Sequence, residues 1–132
     1  MVTERTRALV SVVDDDASLR RSVANLLRSV GTPVLTFASA EEFLDAAVLE
    51  RTDCIVLDLR MSGMNGLYLL EHLCQRGFGG RVLMLTAHAD NLTRGRASHL
   101  GVYAFLPKPF RPDELLRCID GCLARSAAER GA

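Results

Sequence analysis

The residues of this chain with the most chemical potential are four acids, Asp14, Asp15, Asp16 and Asp58, the hydroxyl of Thr86 and the ammonium of Lys108. Each stands at or just past the end of a short apolar run. Three adjacent carboxylates repel, and carboxylates gathered in one place raise one another's pKa unless a cation joins them. A hard divalent ion held by oxygen ligands and water, Mg²⁺ above all, resolves that repulsion. One carboxylate can then act as a nucleophile toward phosphorus, while the metal, an ammonium and a hydroxyl neutralise the charge that spreads over the phosphoryl oxygens. Simpler uses exist for each group alone. Asp14 to Asp16 could cap a helix, although one Asp suffices for that. Thr86 and Lys108 mean nothing singly. Asp58 is harder to dismiss, because it directly follows the buried-looking run "CIVL" and an unpaired buried carboxylate costs several kcal/mol.

The elements that must position these groups follow from hydrophobic pattern. The runs "ALVSVV" (8–13), "PVLTF" (33–37), "CIVLD" (54–58), "RVLML" (81–85) and "VYAFL" (102–106) recur every 20–25 residues or so. Three are apolar nearly throughout, as strands buried on both faces are. Between the first two, Leu19, Val23, Leu26, Leu27 and Val30 form one stripe of an amphipathic helix that Gly31 can end. Ser39 and Glu42 make a capping box for a second helix that carries Phe43, Leu44, Ala47 and Val48 inward. A third helix runs from about Gly66 to Arg76 on Leu70, Leu73 and Cys74; the last begins at Pro112 and buries Leu115, Leu116, Ile119 and Leu123. The segment 90–101 has a thin stripe and an interior Gly95, which costs ~1 kcal/mol against Ala, so it predicts a marginal helix. Five βα units in this order give a doubly wound parallel sheet. In such a sheet ligands bind beyond the carboxyl ends of the strands. The acids, Thr86 and Lys108 therefore converge on one rim.

Composition excludes several classes. At 132 residues and 48% hydrophobic the chain supports one core. Sixteen basic and sixteen acidic residues cancel, which gives no bulk attraction to nucleic acid or anionic membranes. No stretch has the roughly 20 apolar residues of a membrane helix and the start is not signal-like, so a cytoplasmic location is expected. Cys54, Cys74, Cys118 and Cys122 read as small buried hydrophobes; Cys118 and Cys122 are one turn apart, but no His accompanies them as a metal ligand.

Four ordered motifs, "VVDDDASLRRSV", "VLDLRMSGMNG", "VLMLTAH" and "FLPKPF", make the sequence resemble the receiver domain of bacterial two-component response regulators over about residues 7–124. Residues 1–6 would be a flexible N-terminus and 125–132 a tail. The resemblance implies the flavodoxin-like CheY fold, (βα)5 with strand order 2-1-3-4-5. It implies that Asp58 accepts a phosphoryl group from a histidine kinase or phosphotransfer protein, and that Asp14, Asp15, Asp58 and the backbone carbonyl of Arg60 hold Mg²⁺. Thr86 would bond the phosphoryl oxygen, Phe105 would be a coupled rotating aromatic, and Lys108, before a cis Pro109, would pair with the phosphate. Asp16 matches a variable position and is left with helix capping. Ser62 replaces a usual Pro, and Tyr103 replaces a usual acid.

Arg60 and His88 flank the phosphoryl position in the family, and as bulky side chains they are expected to shield the acyl phosphate from water. The signal is expected to leave through the face of the fourth helix, fifth strand and fifth helix, including Arg94, Arg96, Tyr103 and Arg117. It would reach a downstream protein, a second copy in a phosphorylation-dependent homodimer, or the chain's own output domain if this is the receiver of a longer DNA-binding regulator of the nitrogen-fixation style. An enzyme is not expected: an aspartyl-nucleophile phosphohydrolase would place a general acid two residues past Asp58, where Arg60 stands. A flavodoxin-like electron carrier would need a phosphate-cradling loop where the acids sit.

Overall fold

The computed structural model describes residues 8–61, 65–87 and 91–131, with side chains described through residue 124. Its strands are β1 (Leu9–Val13), β2 (Val34–Phe37), β3 (Thr52–Asp58), β4 (Arg81–Thr86) and β5 (Ala104–Pro107). The helices are α1 (Ala17–Ser29), α2 (Ala40–Asp45), α3 (Gly66–Gln75), α4 (Asn91–His99) and α5 (Pro112–Gly131). All strand pairings are parallel and the order is β2-β1-β3-β4-β5. This is the expected order, and the chain changes direction across the sheet between β2 and β3, passing β1 to reach its far side.

Each face of the sheet carries its own core, because successive side chains on a strand point to opposite sides. Val13, Ile55, Leu57, Val82 and Met84 pack with Phe43, Leu69, Leu70, Leu73 and Ala97 under α2, α3 and α4. Val10, Val12, Cys54, Val56, Leu83, Leu85 and Leu106 pack with Val23, Leu27, Leu115, Ile119 and Cys122 under α1 and α5. The central strands are buried on both sides, hence their unbroken apolar runs.

Local chemistry sets the helix ends. Asp16 accepts hydrogen bonds from the backbone N–H groups of Ser18 and Leu19, which makes it the cap of α1. Gly31 adopts φ +78, a left-handed conformation that glycine enters without steric cost, and α1 stops there. The capping box of α2 forms, with Glu42 N–H donating to Ser39 Oγ at 3.0 Å. The expected inward run beyond it does not continue. Helix α2 ends at Asp45, Ala47 takes φ +57, and this turn leaves Ala47 exposed while Val48 is buried from a following 3-10 turn, Leu49–Arg51.

Three other expectations need correction. Val30, placed in the stripe of α1, falls just past the end of that helix and is 55% exposed. Cys74 is exposed, because α3 turns Leu69, Leu70 and Leu73 inward and leaves Cys74 on its flank. There its thiol donates to the Leu100 carbonyl at 2.9 Å. In α5, Leu115 and Ile119 are buried as expected, while Leu116 and Leu123 are half-buried on the stripe's flank and Cys122 completes it. Cys54 and Cys122 are buried as expected, and Cys118 is half-buried. The expected N-terminal segment 1–6 lies outside the described residues, and the backbone of α5 stays helical to Gly131.

Candidate functional site

The acids meet at the carboxyl rim of the sheet. Asp14, just past β1, is fully buried; Asp58, the last residue of β3, is 6% exposed; Thr86, the last of β4, is 3% exposed. Asp15 is exposed. One oxygen from each of Asp14, Asp15 and Asp58 lies within 4.8 Å of the others, an arrangement that suits a small hard cation. Lys108 Nζ donates to Asp14 Oδ2 at 3.0 Å and stands 3.5 Å from Asp58 Oδ1. The Lys108–Pro109 peptide bond is cis.

Burial pushes the Asp58 carboxyl up to about 6, and the charge of Asp14 pushes in the same direction. Lys108 and the Arg60 N–H oppose that rise without cancelling it. For Lys108, burial pulls the ammonium down, yet the hydrogen bond and charge of Asp14, with Asp58 adding to them, leave it above the ordinary lysine value. Asp14, Asp15 and Asp58 bring three carboxylates together, and Lys108 lies against two of them. A divalent ion fits this gathering of carboxylates and its oxygen-only donor set.

Backbone contacts fix the loops that carry these groups. Asp16 N–H donates to Asp14 Oδ1 at 2.9 Å and Arg60 N–H to Asp58 Oδ1 at 3.3 Å, while the Arg60 side chain is exposed. Lys108 N–H donates to the Thr86 carbonyl at 2.7 Å, which ties the loop after β5 to the end of β4. Phe105 is half-buried on β5, in register with Met84, on the face that α4 covers. His88 and Ser62 lie outside the described residues.

Two contributors escaped the sequence reading. Arg20 reaches back from α1, its Nη1 donating to the Asp14 carbonyl at 2.8 Å. Its only sequence signal is a position one turn into the helix that the acids cap. Gly66 opens α3 with its Cα against the Asp58 carbonyl and the Leu59 Cα, so any Cβ there would overlap the backbone of the acid's own residue. The sequence places Gly66 at the start of a helix; the close approach is a tertiary fact. Of the expected output residues, Arg94 stacks on Phe105, Arg96 pairs with Glu71, Arg117 pairs with Asp113, and Tyr103 sets its hydroxyl against Gly121 of α5.

Comparison with known proteins agrees with this geometry. The response regulator receiver domain model matches residues 10–120. Nodulation protein W of Bradyrhizobium diazoefficiens is 40% identical over 127 residues, which are 96% of this chain and 56% of that protein. The transcriptional regulatory protein FixJ of Azorhizobium caulinodans is 42% identical over 120 residues, 91% of this chain and 57% of that one. The solved structure of chemotaxis protein CheY4 from Vibrio cholerae superposes with a TM-score of 0.81 at 30% identity, covering 88% of this chain and 98% of that one. The chain belongs to the response regulator receiver domain family. It spans about half the length of the curated relatives it matches. Among the described residues no helix is long and apolar enough to cross a membrane.

Proposed function

We propose that Asp58 is the phosphoacceptor of this receiver, and the observation that carries the reading is its placement. It is a buried carboxylate with two more carboxylates within 4.8 Å and a lysine ammonium 3.5 Å away. An oxygen of Asp58 attacks the phosphorus of a phosphohistidine donor, the P–N bond breaks, and its electron pair returns to the donor imidazole, which takes up a proton. Asp14, Asp15, Asp58 and the carbonyl of Arg60 would hold Mg²⁺, which supplies charge neutralisation of the phosphoryl oxygens when bound. Lys108 stands ready to move from Asp14 toward the new phosphate. Thr86 offers a hydroxyl to a phosphoryl oxygen, and Phe105 follows Thr86 as the moving aromatic. The protein is a phosphoacceptor and not a turnover enzyme, and it works in the cytoplasm with a sensor histidine kinase or phosphotransfer protein.

The test is intact-mass spectrometry after incubation with Mg²⁺ and acetyl phosphate. The wild type gains one hydroxylamine-sensitive phosphoryl group and Asp58→Asn gains none; equal labelling of Asp58→Asn overturns the assignment. The exposed Arg60 side chain beside the acid would screen the acyl phosphate from water, so Arg60→Ala shortens its half-life. An unchanged half-life removes Arg60 from that role. Because the relatives extend well beyond the matched segment, the output we infer is a domain of a longer regulator, driven from the face of α4, β5 and α5.

A further inference from the structure

Helix α4 is weakly seated on the sheet, with Ala97 as its single fully buried side chain among the described residues. On the α3 side it is held by polar contacts, Arg96 to Glu71 and the Leu100 carbonyl just past its end to the Cys74 thiol. On the β5 side, the Arg94 guanidinium carbon lies 4.6 Å from the centroid of the Phe105 ring, within cation–π range. Phe105 is half-buried against the cluster that holds Met84, Ala97 and Leu100, and its strand neighbour β4 ends two residues later in Thr86. A cation stacked on this ring opposes any movement that takes the ring away from α4. Any rotation that carries the ring out from under the guanidinium has to give up the contact.

We propose that Arg94 is a positioning residue that latches the Phe105 ring in the unphosphorylated arrangement and thereby sets how readily the phosphoryl site switches the protein. The inference rests on the reading of Asp58 as phosphoacceptor and Phe105 as the moving aromatic. Its logic is linkage: a contact present in only one of two states biases the equilibrium toward that state, and an effector that favours the other state must overcome it. Releasing the latch therefore strengthens binding of a phosphoryl mimic at Asp58, although Arg94 touches neither the mimic nor the acids.

The experiment titrates Mg²⁺ and beryllofluoride into the protein and follows the bound fluoride signal by ¹⁹F NMR. Arg94→Met, which keeps the length and loses the charge, binds beryllofluoride about two- to fivefold more tightly than wild type, the range expected for an exposed cation–π contact. Arg94→Lys, which keeps the cation, stays close to wild type. In a Phe105→Leu background Arg94→Met has no effect, because the ring it held is gone. Unchanged or weaker binding by Arg94→Met overturns the latch. So does the same gain in the Phe105→Leu background, which would show Arg94 acting without the ring. Absence of bound beryllofluoride in the wild type overturns the phosphoacceptor reading and the latch with it.

Discussion

Helices α4 and α5 follow one another in the chain and flank the same edge strand, β5, but different forces hold them. Helix α5 buries Leu115, Ile119 and Cys122 completely against β3, β4 and α1. Among the described residues, helix α4 buries Ala97 alone and makes polar contacts that include Arg96 to Glu71, Arg94 over Phe105, and the Cys74 thiol to the Leu100 carbonyl. Apolar burial is non-directional and costly to lose, whereas exposed polar contacts are directional, individually weak and exchangeable. A helix held by the second kind can shift without unfolding the domain. The looser helix stands on the side of Phe105, and the firmly packed one gives the sheet a fixed back.

Substitutions that separate the two helices begin with the largest effect. Ile119→Ala opens a cavity under α5 and lowers global stability by about 2–5 kcal/mol in urea unfolding. A loss below about 1 kcal/mol would mean that α5 is not the fixed partner. The next effect belongs to the rim between the helices. Burial raises the Asp58 pKa to about 6 from an ordinary 3.8, so the native state holds its proton more tightly than the unfolded chain does. Its contribution to stability is therefore present at acid pH and lost as the pH rises through about 6. Replacing it with a neutral amide removes that strain: Asp58→Asn stabilises the metal-free protein by about 1–3 kcal/mol at pH 7. The gain fades toward pH 4, where both proteins carry a neutral group. A gain that grew toward acid pH would reverse the assigned cause. Smallest is Arg96→Ala, which costs less than about 1 kcal/mol globally because its pair with Glu71 is largely exposed. Amide exchange should nevertheless quicken across residues 91–99. Exchange that quickened equally in α5 would erase the distinction between the helices.

This division also explains which features the sequence disclosed. Strands β3 and β4 announce themselves because burial on both faces demands continuous apolar residues, and the chemical groups at their ends stand out against that background. Asp16, Ser39 and Glu42 were readable because capping is chemistry within a few residues of chain. The left-handed turn at Ala47 had no such marker, since alanine carries no turn signal, and the helix pattern was carried too far. Cys74 sits beside a true apolar stripe, and a one-position error in helix phase separates inside from outside. Arg94 and Arg20 were invisible as contributors because their partners, the Phe105 ring and the Asp14 carbonyl, are brought to them by the fold. Gly66 belongs with them, since what it touches is the backbone of a residue on another element.

The alternation of each strand between two cores has a consequence for wiring. On β3 the even-numbered Cys54 and Val56 face α1 and α5; on β4 the even-numbered Val82 and Met84 face α4. By that parity Asp58 ends its strand on one face of the sheet and Thr86 ends its strand on the other. An insertion of one residue within β4 would preserve an apolar strand of nearly the same composition while exchanging the residues it gives to the two cores. Thr86 would then end the strand on the face of α1 and α5 rather than on that of Phe105 and α4. The register of one strand is thus an address: it decides which face of the sheet receives the group at the strand's end, while the acids and the lysine on the other strands stay where they are.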